Sequence, residues 1–317
     1  MSSKIRFTLL SLMMVAPVMA QVGCGSSGGA GIPGPTGLTG PEGPAGPMGT
    51  DGTSGTNGTP LIKVSPAQMG TWKSLNVNTA TATISAEKAW PIAALGGTGS
   101  IRLFPGNGMG VGGDWPAWSG SGGKGFMGTT ALNGLALTDL TALSYNAYNI
   151  NAGTVVVMPY VNVFVDVDGD GAFDKTKDDI LAFDPSYFPA TAQAVAANDR
   201  WQNWDAFAAG TKSWRCVFGK AKIDSNGTLC TTNTPYTWDE LAVSNPTAKI
   251  SPASCQEVPF PMATPDNTCA TQDATAPGLL FVVGQKSGGG WDKYTGYVDN
   301  VRVGIQDFEQ TYNFESQ

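Results

Sequence analysis

From residue 61 onward the chain alternates short apolar runs with Gly, Asn, Asp and Ser. Ser74–Ser85, Ser100–Phe104, Val155–Val167, Ile180–Phe183, Leu279–Val283, Tyr297–Ile305 and Thr311–Phe314 each read as a strand, apolar throughout or apolar at alternate positions. Thr, Val and Tyr, whose branched or aromatic side chains pack well on a pleated surface, are frequent in them. One short helix is signalled. Thr237-Trp238-Asp239-Glu240 places a hydroxyl before the first turn and a carboxylate three residues on, just ahead of Leu241, so that each satisfies a free N–H of the other's backbone. Many short strands with little helix predict an all-β β-sandwich over residues 61–317, and a jelly roll of about eight or more strands suits that length.

Residues 28–60 follow a different period. Glycine stands at 28, 31, 34, 37, 40, 43, 46, 49, 52, 55 and 58 without a break, and proline at 33, 35, 41, 44, 47 and 60. A period of three is what a triple helix of polyproline-II chains requires, because only glycine fits where each chain meets the shared axis. Proline elsewhere in the triplet presets φ. At about 3.1 Å per residue the run would form a rod on the order of 100 Å. The competing reading is a flexible Gly/Pro/Thr spacer on a monomer. The second half of the run is poor in proline, so the homotrimer depends on the downstream domain to hold three chains in register.

Ahead of the repeat, residues 1–23 read as a signal peptide. Lys4 and Arg6 form its positive start and Phe7 to Ala20 its apolar stretch, too short to span a bilayer as a stable helix. Two cleavage sites compete: Val18-Met19-Ala20, and Val22-Gly23-Cys24, which matches the end of a bacterial lipobox except that Gln21 replaces an apolar residue. Residues 24–27 would then be the linker from a lipid anchor on Cys24 in the outer membrane. Cysteine arithmetic supports this. Cys216, Cys230, Cys255 and Cys269 can form two disulfides, leaving Cys24 unpaired beside the leader. The alternative use of Cys24 is an interchain disulfide at the foot of a trimer. Either use implies an oxidising compartment, so the chain is expected at the cell surface or outside the cell. Cys216–Cys230 with Cys255–Cys269 is the simplest of three possible pairings.

Composition removes whole classes of chemistry. The 317 residues include no histidine, which excludes Ser-His-Asp and Cys-His catalysis and His-ligated zinc. A net charge of −7 argues against nucleic acid as a partner, since phosphate backbones need clustered Lys and Arg.

Two candidate sites remain. Asp166-Val167-Asp168-Gly169-Asp170-Gly171-Ala172-Phe173-Asp174 repeats carboxylates at alternate positions, with Gly171 at the tight turn, as in the first half of an EF-hand calcium loop. Asp166, Asp168, Asp170 and Asp174 would supply side-chain oxygens, Ala172 its carbonyl, and a structural Ca²⁺ would be the cofactor. Lys177 stands at the twelfth position, where a bidentate Glu is expected, so Asp178 or Asp179 must stand in. The segment before the loop reads as a strand and not a helix, and the competing reading is a polar β-hairpin turn. The second candidate is aromatic. Nine tryptophans are many for this length, and Trp115, Trp118 and Trp291, set in Gly-rich stretches, are the ones expected at the surface, where an indole can stack on a sugar ring. Asp114, Asp292 or Asn300 would be their polar partners, whereas Trp201 and Trp204, embedded in a strand-like run, are assigned to the core.

The Gly-X-Y run beside a lipobox-like Cys24 resembles bacterial collagen-like surface proteins. The closing strands Gly296–Gly304 and Tyr312–Glu315, with Gly99–Leu103, Leu143–Tyr145, Trp201–Phe207 and Trp214, resemble secreted jelly-roll domains of the galactose-binding or concanavalin-like kind. The resemblance implies a fold more than an activity, with contact to a polysaccharide or extracellular-matrix ligand as the analogy it carries. The expected molecule is therefore a structural or adhesive surface protein and not an enzyme. The alternative is a glycan-active hydrolase or lyase working with carboxylates on the same scaffold; adjacent loop aspartates do not form the facing pair that glycosidase chemistry needs.

Overall fold

The computed structural model describes residues 59–76, 80–88, 97–105, 125–150, 156–186, 196–232, 234–254, 275–284 and 294–317. They form a two-sheet β-sandwich with one α-helix. Residues 1–58, which hold the expected signal peptide and the Gly-X-Y run to Gly58, lie outside them.

The first sheet contains β1 (Leu61–Val64), β3 (Thr81–Ser85), β4 (Ser100–Phe104), β6 (Leu140–Ile150), β9 (Gln202–Asp205), β15 (Thr295–Ile305) and β16 (Phe308–Phe314). The second contains β2 (Trp72–Asn76), β5 (Gly125–Thr129), β7 (Tyr160–Asp166), β8 (Asp179–Phe183), β10 (Trp214–Cys216), β11 (Lys249–Ile250) and β14 (Leu279–Val283). A two-stranded ladder joins β12 (Ala253–Ser254) to β13 (Thr275–Ala276). In the second sheet the order is β10-β8-β7-β14-β5-β2, and its pairings are antiparallel. β14 and β8 are buried at every position, which is why both read as plain apolar runs.

Ser74–Ser85 is not one strand. It divides into β2 and β3, which belong to different sheets, so the chain crosses from one layer to the other between them. The run expected from Val155 becomes a strand only at Tyr160, after Pro159, which has no N–H for a ladder.

β15 is the centre of the first sheet. It pairs with β6 along its length, with β4 through Gly296–Val298 and with β16 through Val301–Ile305. Between Asp299 and Arg302 the register against β6 slips, and Asn300 takes φ 48°. The extra residue changes the parity of the strand. Val298 faces the core before the bulge and Val301 and Val303 face it after, with no exposed valine between them. Asp299 clamps the bulge by accepting N–H bonds from Asn300 (2.8 Å) and Phe314 (3.1 Å).

Aromatic rings join the two sheets. Trp72 of β2 stacks on Phe281 of β14 and meets Tyr312 and Phe314 of β16 edge-on at 5.2 and 4.9 Å. Tyr145 of β6 meets Phe281 at 5.1 Å and Phe183 at 6.2 Å. Phe183, Trp214, Trp238 and Phe207 continue the stack toward the helix. That helix, α1 (Trp238–Ser244), begins at the capping box read from the sequence: Glu240 N–H donates to Thr237 Oγ1 at 3.0 Å, and Thr237 N–H to the Glu240 carboxylate at 2.8 Å. Cys216 and Cys230 form a disulfide in the core; Cys24, Cys255 and Cys269 lie outside the described residues.

Candidate functional site

The acidic loop leaves the end of β7 and returns into β8. Gly169 and Gly171 sit at φ 76° and 95°, so two residues without a Cβ fold the loop back on itself. Asp166 is buried and accepts N–H bonds from Gly169 (2.7 Å) and Gly171 (2.8 Å). Asp178, also buried, accepts from Val167 and Asp174, both at 2.7 Å. These two carboxylates staple the loop to its own backbone. The exposed Asp168 completes a trio with them: carboxylate oxygens of Asp166, Asp168 and Asp178 lie within 4.8 Å of one another.

The sequence-predicted ligands therefore divide. Asp166, Asp168 and Asp178 come together. Asp170 turns to Lys177, whose ammonium lies 3.2 Å from its carboxylate and 3.6 Å from that of Asp168. Asp174 is occupied with the Thr176 N–H and hydroxyl, both at 2.8 Å, and Ala172 donates its N–H to Asp170 at 3.0 Å. Lys177 thus places a positive charge beside the trio instead of an oxygen, and its neighbour Asp178 is the residue that faces inward. Burial pushes the Asp178 carboxyl above the ordinary range, and the negative charges of Asp166 and Asp168 push it further the same way. Crowded carboxylates of this kind favour either a proton or a cation.

Asp179 faces away from the trio, as alternation along a strand dictates. Its buried carboxylate accepts N–H bonds from Ile180 (2.9 Å), Val217 (3.0 Å), Phe218 (2.8 Å), Lys220 (2.6 Å) and Ala221 (3.0 Å), and the Cys230 sulfur lies 3.5 Å from it. Burial raises its pKa against the pull of those donors. It organises the loop closed by the disulfide and is not a ligand of the acidic trio.

A second cluster lies on the outer face of the first sheet, where sequence reading placed nothing. Arg102 of β4, Tyr297 of β15 and Tyr148 of β6 are register neighbours across three strands, and Trp201 extends the row. Ring centroids of Tyr148 are 6.1 Å from Tyr297 and 5.6 Å from Trp201. The exposed Glu87 accepts from the Tyr297 hydroxyl at 2.6 Å and from Arg102 at 3.1 Å, and Lys88 stands 4.8 Å over the Tyr148 ring. The Tyr297 bond holds the Glu87 carboxyl low, while burial and Glu87 together push the Tyr297 phenol up to about 12. Tyr297 is buried beneath Glu87, while the half-buried planes of Tyr148 and Trp201, beside a carboxylate and two cations, offer stacking and hydrogen bonding at one place.

Trp204 is in the core as expected, but Trp201 is half-buried on this outer face. The signal was the alternation in β6: Tyr145 faces inward, so Tyr148, an odd number of residues away, faces outward. Trp115, Trp118, Trp291, Asp114 and Asp292 lie outside the described residues. Asn300 is 7% exposed in the β15 bulge, so its amide belongs to the fold's interior and not to a surface subsite. Among the described residues no helix is long and apolar enough to cross a membrane. Comparison with protein-family models, curated proteins and solved structures finds no match for this chain.

Proposed function

We propose that this chain is an exported structural or adhesive surface protein: a lipid anchor at Cys24 in the outer membrane, a short trimeric collagen-like stalk over residues 28–60, and a jelly-roll-like head that mediates assembly and contact with glycan or matrix. The observation that carries the reading is the unbroken run of eleven glycines at every third position, ending three residues before the first strand of a β-sandwich. A triple helix requires such a period, because only glycine fits where the three chains meet at the axis. The aromatic face around Tyr148 and Trp201 supports the contact role, since stacked planes beside Glu87, Lys88 and Arg102 suit a sugar's apolar face and its hydroxyls. Sedimentation of the full chain tests the reading: a trimer is expected at micromolar concentration, with a cooperative triple-helix transition by circular dichroism. A monomer with no such transition rules the stalk out.

The same proposal includes a structural Ca²⁺ held by Asp166, Asp168 and Asp178. Three carboxylate oxygens within 4.8 Å, two of them on buried residues, support it, because hard cations take clustered oxygens. At a hundredfold excess over its dissociation constant the ion would add about 2.7 kcal/mol. For a domain of this size that corresponds to a melting temperature roughly 5–10 °C higher than in chelator. Asp168→Asn is expected to abolish the calcium-dependent rise without lowering the melting temperature in chelator. Identical melting in calcium and in chelator would remove calcium from the account.

A further inference from the structure

The margin of the head where the repeat enters carries apolar side chains on both faces. Among the described residues β1 is the edge strand of the first sheet and pairs, in parallel, only with β16. Leu61 is 39% exposed, Ile62 38% and Phe308 53%, three of the six large apolar side chains left exposed among the described residues. Ile62 is registered opposite Tyr312, and Phe308 shares the Tyr312 face of β16 by the two-residue period. Tyr312 and Phe314 on that face pack against Trp72 of the second sheet, so Ile62 and Phe308 belong to the core side of the sheet but extend past its cover. Leu61 points to the opposite face. An uncovered edge strand with wet apolar residues on both sides is an association surface unless something blocks it.

Chain connectivity says what covers it. Gly58, the last glycine of the repeat, would sit at the shared axis of a triple helix. The three residues from Gly58 to Leu61 reach at most about 10 Å when fully extended. A folded domain of this length has a radius of gyration of about 18 Å. Three such bodies, each tied within that reach of one axis by its own β1, must meet at the margin that β1 forms. We infer that the β1 edge, with Leu61, Ile62 and Phe308, is the surface through which three copies of the head pack against one another. The inference rests on the trimeric reading above and names its contact. The patch is small, and a small patch suffices: a short tether raises the effective concentration of the neighbouring heads to the millimolar range. The two parts then support each other, the heads holding register for a proline-poor repeat and the repeat concentrating the heads.

The test uses the full chain and the double substitution Leu61→Asp/Phe308→Asp, which places charges on side chains already half in water. The wild type is expected to sediment as a trimer, and the variant to associate at least tenfold more weakly while melting as the wild type does. Val243→Asp, on the exposed face of α1, is expected to leave the trimer intact. A variant that stays as trimeric as the wild type overturns the inference and leaves the stalk standing, whereas a monomeric wild type overturns the stalk itself. If the double variant melts early, Phe308→Cys gives an independent readout. A short bismaleimide should link its chains, should not link those of Val243→Cys, and equal linking of both would refute the assignment.

Discussion

Asp179→Ala is expected to be the most damaging single substitution in the head, abolishing cooperative unfolding in denaturant titrations and collapsing the near-ultraviolet dichroism of the surrounding tryptophans. The carboxylate it removes is fully buried and takes five backbone N–H bonds, four of them from the Val217–Ala221 turn. A buried N–H left without an acceptor costs about 1–3 kcal/mol. Val217 N–H also donates to the Ile180 carbonyl at 2.9 Å and keeps that bond, so the four others lost together come to about 4 kcal/mol or more, approaching the whole stability of a domain. The methyl group of alanine cannot recruit water into the space, because the Cys216–Cys230 disulfide closes one side of it. Asp179→Asn should recover part of the loss, since its carbonyl keeps one acceptor while its amide opposes the remaining donors. A melting temperature for Asp179→Ala equal to that of the wild type would show that the turn is held by other means.

Trp72→Ala comes second, at about 3–5 kcal/mol, the range for a large aromatic removed from a packed core. Trp72 is 3% exposed and is the ring that joins β2 to Phe281 of its own sheet and to Tyr312 and Phe314 of the other. Among the described residues its buried indole N–H has no hydrogen-bond partner, so the residue works through shape. Trp72→Phe should therefore cost far less than Trp72→Ala, because no acceptor loses its donor. Equal losses in the two variants, read from denaturation midpoints with unchanged slope, would point to an unseen partner for the indole.

What sequence shows here is local. β4 matches its sequence-read bounds, and the α1 capping box is legible because a hydroxyl and a carboxylate three residues apart satisfy the same turn. The acidic loop is legible for the same reason, down to the failure of Lys177 at the twelfth position. β5 is hidden by its two glycines, a residue type depleted in strands. Gly128 is there because a Cβ would collide with the Leu279 carbonyl and the Leu280 side chain of the paired strand, which sequence distance conceals. The β15 bulge left a trace in the spacing of Val298, Val301 and Val303, an apolar gap of three followed by one of two, which a single uninterrupted strand does not produce. Asp179 left none, because four of its donors stand 38 to 42 residues away. The aromatic face left only the outward turn of Tyr148 in the β6 alternation, since its row joins β4, β15 and β6 only once the sheet exists.

The parallel pairing of the first strand with the last has a mechanical consequence. Tension carried into the head through Pro60 pulls along β1, while the body of the domain holds β16 behind it. The ladder between them runs from Thr311 N–H on the Pro60 carbonyl (2.8 Å) to Glu315 N–H on the Val64 carbonyl (2.7 Å), so these bonds lie across the pull and share it. A β1 joined antiparallel at a hairpin end would instead open one bond at a time. If the chain is anchored at its N-terminus as proposed, that pull loads β1 in shear, the geometry in which a four-residue strand resists force best.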